Sequence, residues 1–256
     1  MQTVLFHDTI FGPVHSRRLG ASLGVNLSPL DGKVCTFDCL YCEAGFNAQG
    51  PGTTGLPSRQ SVAAQLEEKL HTLLTEGSPL DVITFSGNGE PTVHPEFASI
   101  IDDTLRLRDK YFPRVKVSVL TNSTRIDRPE VAEALKRVDN NILKLDSAVT
   151  ATMRRLDRPS SPSFSSESVI ELLCQFSHTG IIQTMIVRGS GVDNTTDAEI
   201  SALIDAYRII SPREVMLYTI DRKTPDEHLQ RVDRSTLERI AQRITDTTGI
   251  AVQVSA

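Results

Sequence analysis

The sequence predicts an α/β fold, a partial (βα)6 TIM-like barrel with parallel strands. Three observations carry that expectation. Short β-branched runs alternate with longer stretches of helical period. The alternation repeats about six times, short of the eight repeats that close a full barrel. Each strand is followed by a polar or glycine-rich loop, the pattern of a parallel sheet whose binding residues collect at the carboxyl ends of its strands.

The expected strands are SLGVNL (22–27), DVITFS (81–86), VKVSVLT (115–121), NILKLD (141–146), IIQTMIVR (181–188) and EVMLYTI (214–220). Between them, residues 61–77, 95–111, 128–138, 166–180 and 196–210 place apolar side chains three or four apart and predict helices. Ser61, Asp127, Ser165 and Thr196 are the expected N-caps, and Gly77 and Gly180 the glycines that end helices. A last amphipathic stretch, 234–249, leads into IAVQVSA, one more short strand. Residues 1–20 and the Gly/Pro-rich loop 45–59 are the least regular. No linker interrupts the pattern. A single domain is expected, with 1–20 an N-terminal extension, 21–220 the barrel core and 221–256 a C-terminal helix and strand.

Composition narrows the function classes. The net charge of −5 over 256 residues argues against broad, non-specific nucleic-acid binding, which depends on Lys and Arg neutralising phosphates. No apolar run approaches the roughly 20 residues that cross a bilayer, and MQTVLFHDTIFGP lacks the basic and apolar halves of a secretion signal. A cytoplasmic protein without membrane partners is expected.

Three of the 4 cysteines fall within eight residues, CTFDCLYC (35–42). In a chain this long, that clustering fits a metal or redox site better than a disulfide framework. Thiolates suit zinc or an iron-sulfur cluster, and a cubane cluster normally takes four of them. The fourth cysteine, Cys174, lies in an apolar helical pattern with Leu172, Leu173 and Phe176 and reads as core. None of the 6 histidines is spaced to complete a zinc site with the loop.

The loop CTFDCLYC, with Tyr41 directly before the last cysteine, resembles the signature of the radical S-adenosylmethionine (radical SAM) superfamily. SGNGEPT (86–92) resembles its glycine-rich GGEP element, with Asn88 in place of the second glycine. FGPVHSRRLGASLGVNL, LTNS, LKLDS and LDRP resemble the wyosine-base-formation-like Fe-S oxidoreductase group of that superfamily. The resemblance implies that Cys35, Cys39 and Cys42 ligate a [4Fe-4S] cluster and leave one iron for S-adenosylmethionine. Reductive cleavage of that cofactor would then give a 5′-deoxyadenosyl radical, with flavodoxin or ferredoxin as one-electron reductant.

By the same resemblance, Gly87, Asn88, Gly89 and Glu90 hold the methionyl ammonium, while Asn122, Asp146 and Ser147 meet the ribose or the methionyl carboxylate. Arg188 is a candidate partner for that carboxylate, since a guanidinium grips carboxylates by two bonds. Tyr41, Met185 and Tyr218 are candidates for the adenine wall. His15, Arg17 and Arg18 are expected to carry a substrate phosphate or carboxylate, or to form a solvated charge cluster. Arg154, Arg155 and Arg158 are expected to add a basic rim. The substrate stays open between a small molecule, a tRNA base and a partner protein. A non-enzymatic iron-sulfur or metal-binding module is the alternative.

Overall fold

The computed structural model describes residues 4–16 and 18–256, so Arg17 lies outside the described residues. Strand β1 (Ile10–Ser16) runs antiparallel to β2 (Gly20–Val25) at one edge of the main sheet. Then follow α1 (Arg59–Glu76), β3 (Val82–Phe85), α2 (Phe97–Tyr111), β4 (Lys116–Thr121), α3 (Pro129–Arg137) and β5 (Asn140–Lys144). Two short helices, α4 (Thr150–Asp157) and α5 (Ser166–Leu173), precede β6 (Ile181–Met185). The ribbon β7 (Val187–Gly189) and β8 (Val192–Asp193) leads to α6 (Asp197–Ile210) and β9 (Glu214–Tyr218). The chain ends with β10 (Gln230–Arg231), α7 (Arg234–Thr248) and β11 (Ala251–Ser255).

The main sheet has the order β1-β2-β3-β4-β5-β6-β9-β11, and every pairing after β1 is parallel. It curls into an open half-barrel with helices outside, so the predicted fold class stands. The final strand expected at IAVQVSA is β11, paired with β9. A second sheet, β10-β7-β8, is separate.

Alternation along the strands separates two faces. Leu143, Ile182, Val215, Leu217 and Val117 face the helices, where α2 and α6 bury Phe97, Ile100, Leu203 and Tyr207. The other face is more polar: Ser22 and Thr84 share a hydrogen bond of 2.8 Å, Asn140 Nδ2 donates to Ser118 Oγ at 2.9 Å, and a small apolar cluster of Ile142, Ile181 and Met216 lies among them. A polar inner wall is costly to dry out unless its groups bond one another, as these do. No helix among the described residues is long and apolar enough to cross a membrane.

Ser165 and Thr196 are N-caps and Gly77 is a left-handed C-cap, as expected. Two caps differ. Ser58, not Ser61, caps α1, accepting from Ser61 N at 3.2 Å, because Arg59 and Gln60 extend the first turn. Arg128, not Asp127, precedes α3, with Pro129 starting the helix. Gly180 follows a 3-10 turn at Cys174–Phe176 and donates to Phe176 O at 2.7 Å. Helix α4 has no counterpart among the expected helices, since its basic, weakly apolar sequence hides the period.

The strand expected over 181–188 stops at Met185. Asn194 explains the departure: its Oδ1 accepts from Val187 N at 2.8 Å, and its Nδ2 donates to Met185 O at 2.7 Å and Asp146 O at 2.9 Å. The irregular stretch expected at 1–20 contains β1, held where Phe11 lies over Gly24 and stacks on Phe6 at 3.9 Å. A Cβ on Gly24 would fall inside the Phe11 ring. Gly24→Ala is therefore expected to detach β1: amide exchange across residues 10–16 should accelerate about tenfold or more while β4 to β6 keep their protection, as read by hydrogen-exchange mass spectrometry.

Candidate active site

Two strand-end loops meet at one backbone bridge. Val34, just before the first cysteine, pairs with Gly89 in parallel register. Val34 N donates to Asn88 O at 3.3 Å and Glu90 N to Val34 O at 3.0 Å. A Cβ on Gly89 would collide with the Val34 carbonyl, so this close approach requires glycine.

Beside the bridge, Glu90 is 3% exposed. Its Oε1 accepts from Thr92 N (3.1 Å), Thr92 Oγ1 (2.6 Å) and Thr121 Oγ1 (2.7 Å), and its Oε2 from Asn122 N (2.7 Å). Burial pushes this carboxyl above its ordinary range even though the four donors pull the other way. Asn122 carries the linkage onward: its Nδ2 donates to Thr36 Oγ1 at 2.8 Å and lies 3.6 Å from Cys35 Sγ.

The cysteine loop is also fastened to the end of α4. Asp38 N donates to Asp157 O at 3.0 Å and Leu40 N to Leu156 O at 2.9 Å, satisfying carbonyls that a helix C-terminus leaves open. Ser160 N returns a bond to Thr36 O at 2.9 Å. Within the loop, Asn47 Nδ2 donates to Phe37 O at 3.1 Å, and buried Lys33 donates to Gly45 O at 2.7 Å. Cys35, Cys39 and Cys42 share one apolar cluster with Phe37, Leu40 and Tyr41.

Burial, with Glu90 adding its charge, pushes the Cys35 thiol up to about 12. Burial and Asp157 push Cys39 well above its ordinary range, and Cys39 Sγ donates to Asp157 Oδ1 at 3.4 Å. In this form, among the described residues, no three His, Cys, Asp or Glu side chains converge to hold a metal ion. The donor chemistry nevertheless fits a soft metal centre: three thiols on one tight loop, within one apolar cluster. Cys174 packs instead against the main core and donates to Ile170 O at 3.3 Å.

At the end of β5, Tyr41 OH donates to Asp146 Oδ2 and accepts from Lys144 Nζ. Lys144 Nζ is 3.2 Å from Asp146 Oδ2, and Asp146 Oδ1 accepts from Met185 N at 2.9 Å. Burial opposes the Lys144 charge, yet Asp146 and Tyr218 hold the ammonium well above its ordinary range. Burial, followed by Asp146, raises Asp157. A cavity of about 260 Å³ opens beside this group, lined by Arg18, Tyr41, Cys42, Met185, Tyr218 and Ile220 among others.

The expected site residues thus divide. Cys35, Cys39, Cys42, Tyr41, Glu90, Asn122, Asp146 and Tyr218 gather at the mouth with Gly89. Gly87 packs against the Asn26 side chain. The Asn88 carboxamide is committed to protein: it accepts from Phe6 N at 2.8 Å and donates to Phe6 O at 2.8 Å and Pro29 O at 2.9 Å. Ser147 turns to the helix layer, donating to Glu199 Oε2 at 2.6 Å. Arg188 lies on β7, exposed, bonded to Thr195 Oγ1 at 2.9 Å and 3.6 Å from Asp193.

His15 is exposed on β1. The expected basic rim is engaged with the protein itself. Arg158 pairs with Asp38 at 3.2 Å, Arg155 donates to Gly191 O at 2.8 Å, and Arg154 donates to Phe164 O and Pro162 O. Lys144, Asp157 and Thr36 are the site residues that sequence reasoning did not select. For Lys144 the signal was present: it stands two residues from both Ile142 and Asp146, on the same face of a buried strand.

A thiol pushed up to about 12 is protonated at neutral pH, so binding any metal as a thiolate would require release of its proton. In metal-free protein at pH 8, alkylation of Cys35 by iodoacetamide is expected to run at least ~100-fold slower than that of free cysteine, and denaturation should erase the difference. Peptide mass spectrometry reads both rates.

A profile of the Radical SAM superfamily matches residues 31–205, which include the cysteine loop, the Gly87–Glu90 loop and β5. The UPF0026 protein of Helicobacter pylori (strain J99) is 31% identical over 215 residues, covering 83% of this chain and 66% of the relative. The chain therefore spans about two thirds of the length of the curated relatives it matches first. A radical SAM methyltransferase from Sphaerobacter thermophilus shares the fold with a TM-score of 0.62 at 18% identity, over 91% of this chain and 65% of that one. TYW1 with a lysine-pyruvate adduct bound shares it at 0.60 and 14%, over 88% and 73%. The family match spans the loops that meet at the barrel mouth, and the chain belongs to the Radical SAM superfamily.

Proposed function

We propose that this protein is a radical SAM enzyme in which Cys35, Cys39 and Cys42 hold a [4Fe-4S] cluster and the cavity beside Cys42 takes S-adenosylmethionine. The observation that carries the reading is the docking of three thiols, on one loop with Tyr41, against strand ends that present Glu90, Asn122 and Asp146. When bound, the cluster supplies the electron that splits S-adenosylmethionine into methionine and a 5′-deoxyadenosyl radical, which takes a hydrogen atom from the substrate. Flavodoxin or ferredoxin is the class of reductant that supplies that electron.

The chain's own residues bind, orient and exclude water. Phe37, Leu40 and Tyr41 shield the thiols, and the Gly89 bridge fixes where the loop sits over the mouth. Gly87, Asn88 and Gly89 shape the loop that faces the methionyl group, with Asn88 acting through backbone position because its side chain is engaged elsewhere. Glu90 holds Asn122 where its amide reaches Cys35. Tyr41, Met185 and Tyr218 supply the wall for the adenine, and Lys144 with Asp146 supplies polar groups within reach of the ribose.

Ser147 and Arg188 take no part in this reading. Residues 21–220 and 221–256 are read together as one domain, since β11 extends the sheet. The four free thiols and the need for a low-potential reductant favour the cytoplasm.

Two measurements test the proposal. After anaerobic reconstitution and reduction, wild-type protein is expected to convert S-adenosylmethionine to 5′-deoxyadenosine; a fully loaded and reduced protein that forms none contradicts the enzyme reading and favours a plain metal-binding module. Cys39→Ala is expected to abolish iron binding and Cys174→Ala to leave the iron content unchanged. Equal loss from both contradicts the division into ligand and core cysteines.

A further inference from the structure

The last turn of α4 has an inner and an outer side with different neighbours. On the inner side Leu156 and Asp157 are buried, and their carbonyls accept from Leu40 N at 2.9 Å and Asp38 N at 3.0 Å. Cys39 Sγ reaches Asp157 Oδ1 at 3.4 Å. On the outer side Arg154, Arg155 and Arg158 are exposed. Arg154 and Arg158 line one recess of about 320 Å³ with Asp38, Pro159, Ser161 and Pro162. The thiol of Cys39 and the exposed arginines thus lie on opposite sides of a single helical turn.

The charge on the outer side is mostly unanswered. Arg158 pairs with Asp38 at 3.2 Å, but Arg154 bonds the carbonyls of Phe164 and Pro162, and Arg155 that of Gly191. A neutral carbonyl holds a guanidinium in place without cancelling its charge. Arg125 adds a third cation of this kind. It follows Thr124, whose hydroxyl shares a hydrogen bond of 2.6 Å with Thr36 of the cysteine loop, and its buried Nε has no hydrogen-bond partner. Among the described residues, none of Arg125, Arg154 and Arg155 forms an ion pair. Other cations near the mouth are matched: Lys144 by Asp146 at 3.2 Å, Arg222 by Glu43 at 2.6 Å and Arg188 by Asp193 at 3.6 Å. On a chain of net charge −5, this face carries the opposite sign.

Position decides what such a face receives. None of the three arginines lines the cavity of about 260 Å³ beside Cys42, so they are not placed to hold the cofactor or a small substrate. A nucleic acid would need a longer track of cations, and the net charge of the chain opposes it. What the face adjoins is the loop that carries Cys39, and electron transfer slows steeply with distance. An acidic carrier protein is complementary in charge and would come within one helical turn of the thiolates.

We propose that the outer side of α4, through Arg154 and Arg155 with Arg125 beside them, docks a small acidic one-electron carrier protein. This deepens, and rests on, the radical SAM function proposed above. The carrier is oxidised by one electron and the cluster is reduced by one; no bond forms or breaks.

Flavodoxin, a small acidic flavoprotein, serves as the probe. Its affinity for the anaerobically reconstituted holo-protein is read by isothermal titration calorimetry at low and at high salt. Iron content, melting temperature, S-adenosylmethionine affinity and dithionite-driven 5′-deoxyadenosine formation are measured on the same samples. Wild type is expected to bind, and to bind less tightly as salt rises. The pair Arg154→Glu and Arg155→Glu is expected to weaken binding about tenfold or more and to flatten the salt dependence, with the cofactor readouts unchanged. Lysine at both positions is expected to keep the affinity within about twofold, since it keeps the charge. The pair Arg234→Glu and Arg239→Glu on α7 makes the same change in net charge and is expected to shift the affinity less than about twofold.

The inference is overturned by a wild type that does not bind flavodoxin, by an affinity independent of salt, or by a loss that the α7 pair matches. Equal affinity in wild type and the Arg154 and Arg155 glutamate pair also overturns it, and a lowered melting temperature in that case would confine the arginines to a helix-end role. A lysine pair as weak as the glutamate pair would assign the arginines to holding their carbonyls. A short RNA duplex that binds wild type more tightly than flavodoxin, and is lost in the glutamate pair, would give the face to nucleic acid. If the glutamate pair does not fold or loses its iron, Arg155→Gln decides alone: severalfold weaker binding is expected, and unchanged affinity overturns the inference. The two readings fail separately. Absence of 5′-deoxyadenosine from dithionite-reduced wild type removes the enzymatic function whatever flavodoxin does, whereas its presence with equal flavodoxin binding in every variant removes only the docking surface.

Discussion

The buried carboxylate of Glu90 is the tie on which the mouth of the barrel depends. It gathers donors from its own loop and from the end of β4, and through Asn122 that order extends to Thr36 and Cys35. A carboxylate taken out of water is tolerable only when hydrogen bonds replace its hydration, and here four do so. The Gly89 bridge adds the steric half of the constraint, since only a glycine lets the cysteine loop come this close. Loop placement is thereby set by backbone contacts and a fixed side chain before any ligand arrives.

The second support comes from α4. Helix ends leave carbonyls unsatisfied, and two of these accept from Asp38 and Leu40, so the cysteine loop and the helix complete each other. Asp157, the last residue of α4, also faces Cys39 and the Tyr41, Lys144 and Asp146 group. The site is therefore assembled from places far apart in sequence: the loop at 35–42, the loop at 87–90, Thr121 and Asn122 at the end of β4, residues 144–157 and Tyr218. The polar inner face of the sheet supplies the space beneath, and the apolar outer face supplies the stability that permits it.

The parallel strands were legible because each is short, β-branched and followed by a turn, and the strand-end loops at 86–92 and 121–123 were legible from their composition. Helix α4 was hidden by its two arginines, Arg154 and Arg155, with Arg158 directly after them, a short basic run that read as a rim rather than as one wall of the cysteine pocket. The break at Ile186 was hidden because MIVR continues a β-branched run, while the cause of the break, Asn194, lies in the next loop. Asn88 and Ser147 sit in the right motifs, yet their side chains serve the scaffold, which only packing reveals. Arg188 stands one short step past the end of β6, and that step takes it to a different sheet.

The odd number of loop cysteines acquires a physical sense in this arrangement: three thiols share one apolar cluster, and Cys42 lines a cavity together with Arg18, Tyr41 and Tyr218. In the proposed function, three thiolates leave one iron open to S-adenosylmethionine. The electron paramagnetic resonance spectrum of the reduced, reconstituted protein tests it most directly. Adding S-adenosylmethionine is expected to shift the cluster signal, because the cofactor would bind the open iron; a signal unchanged by saturating cofactor would contradict this function.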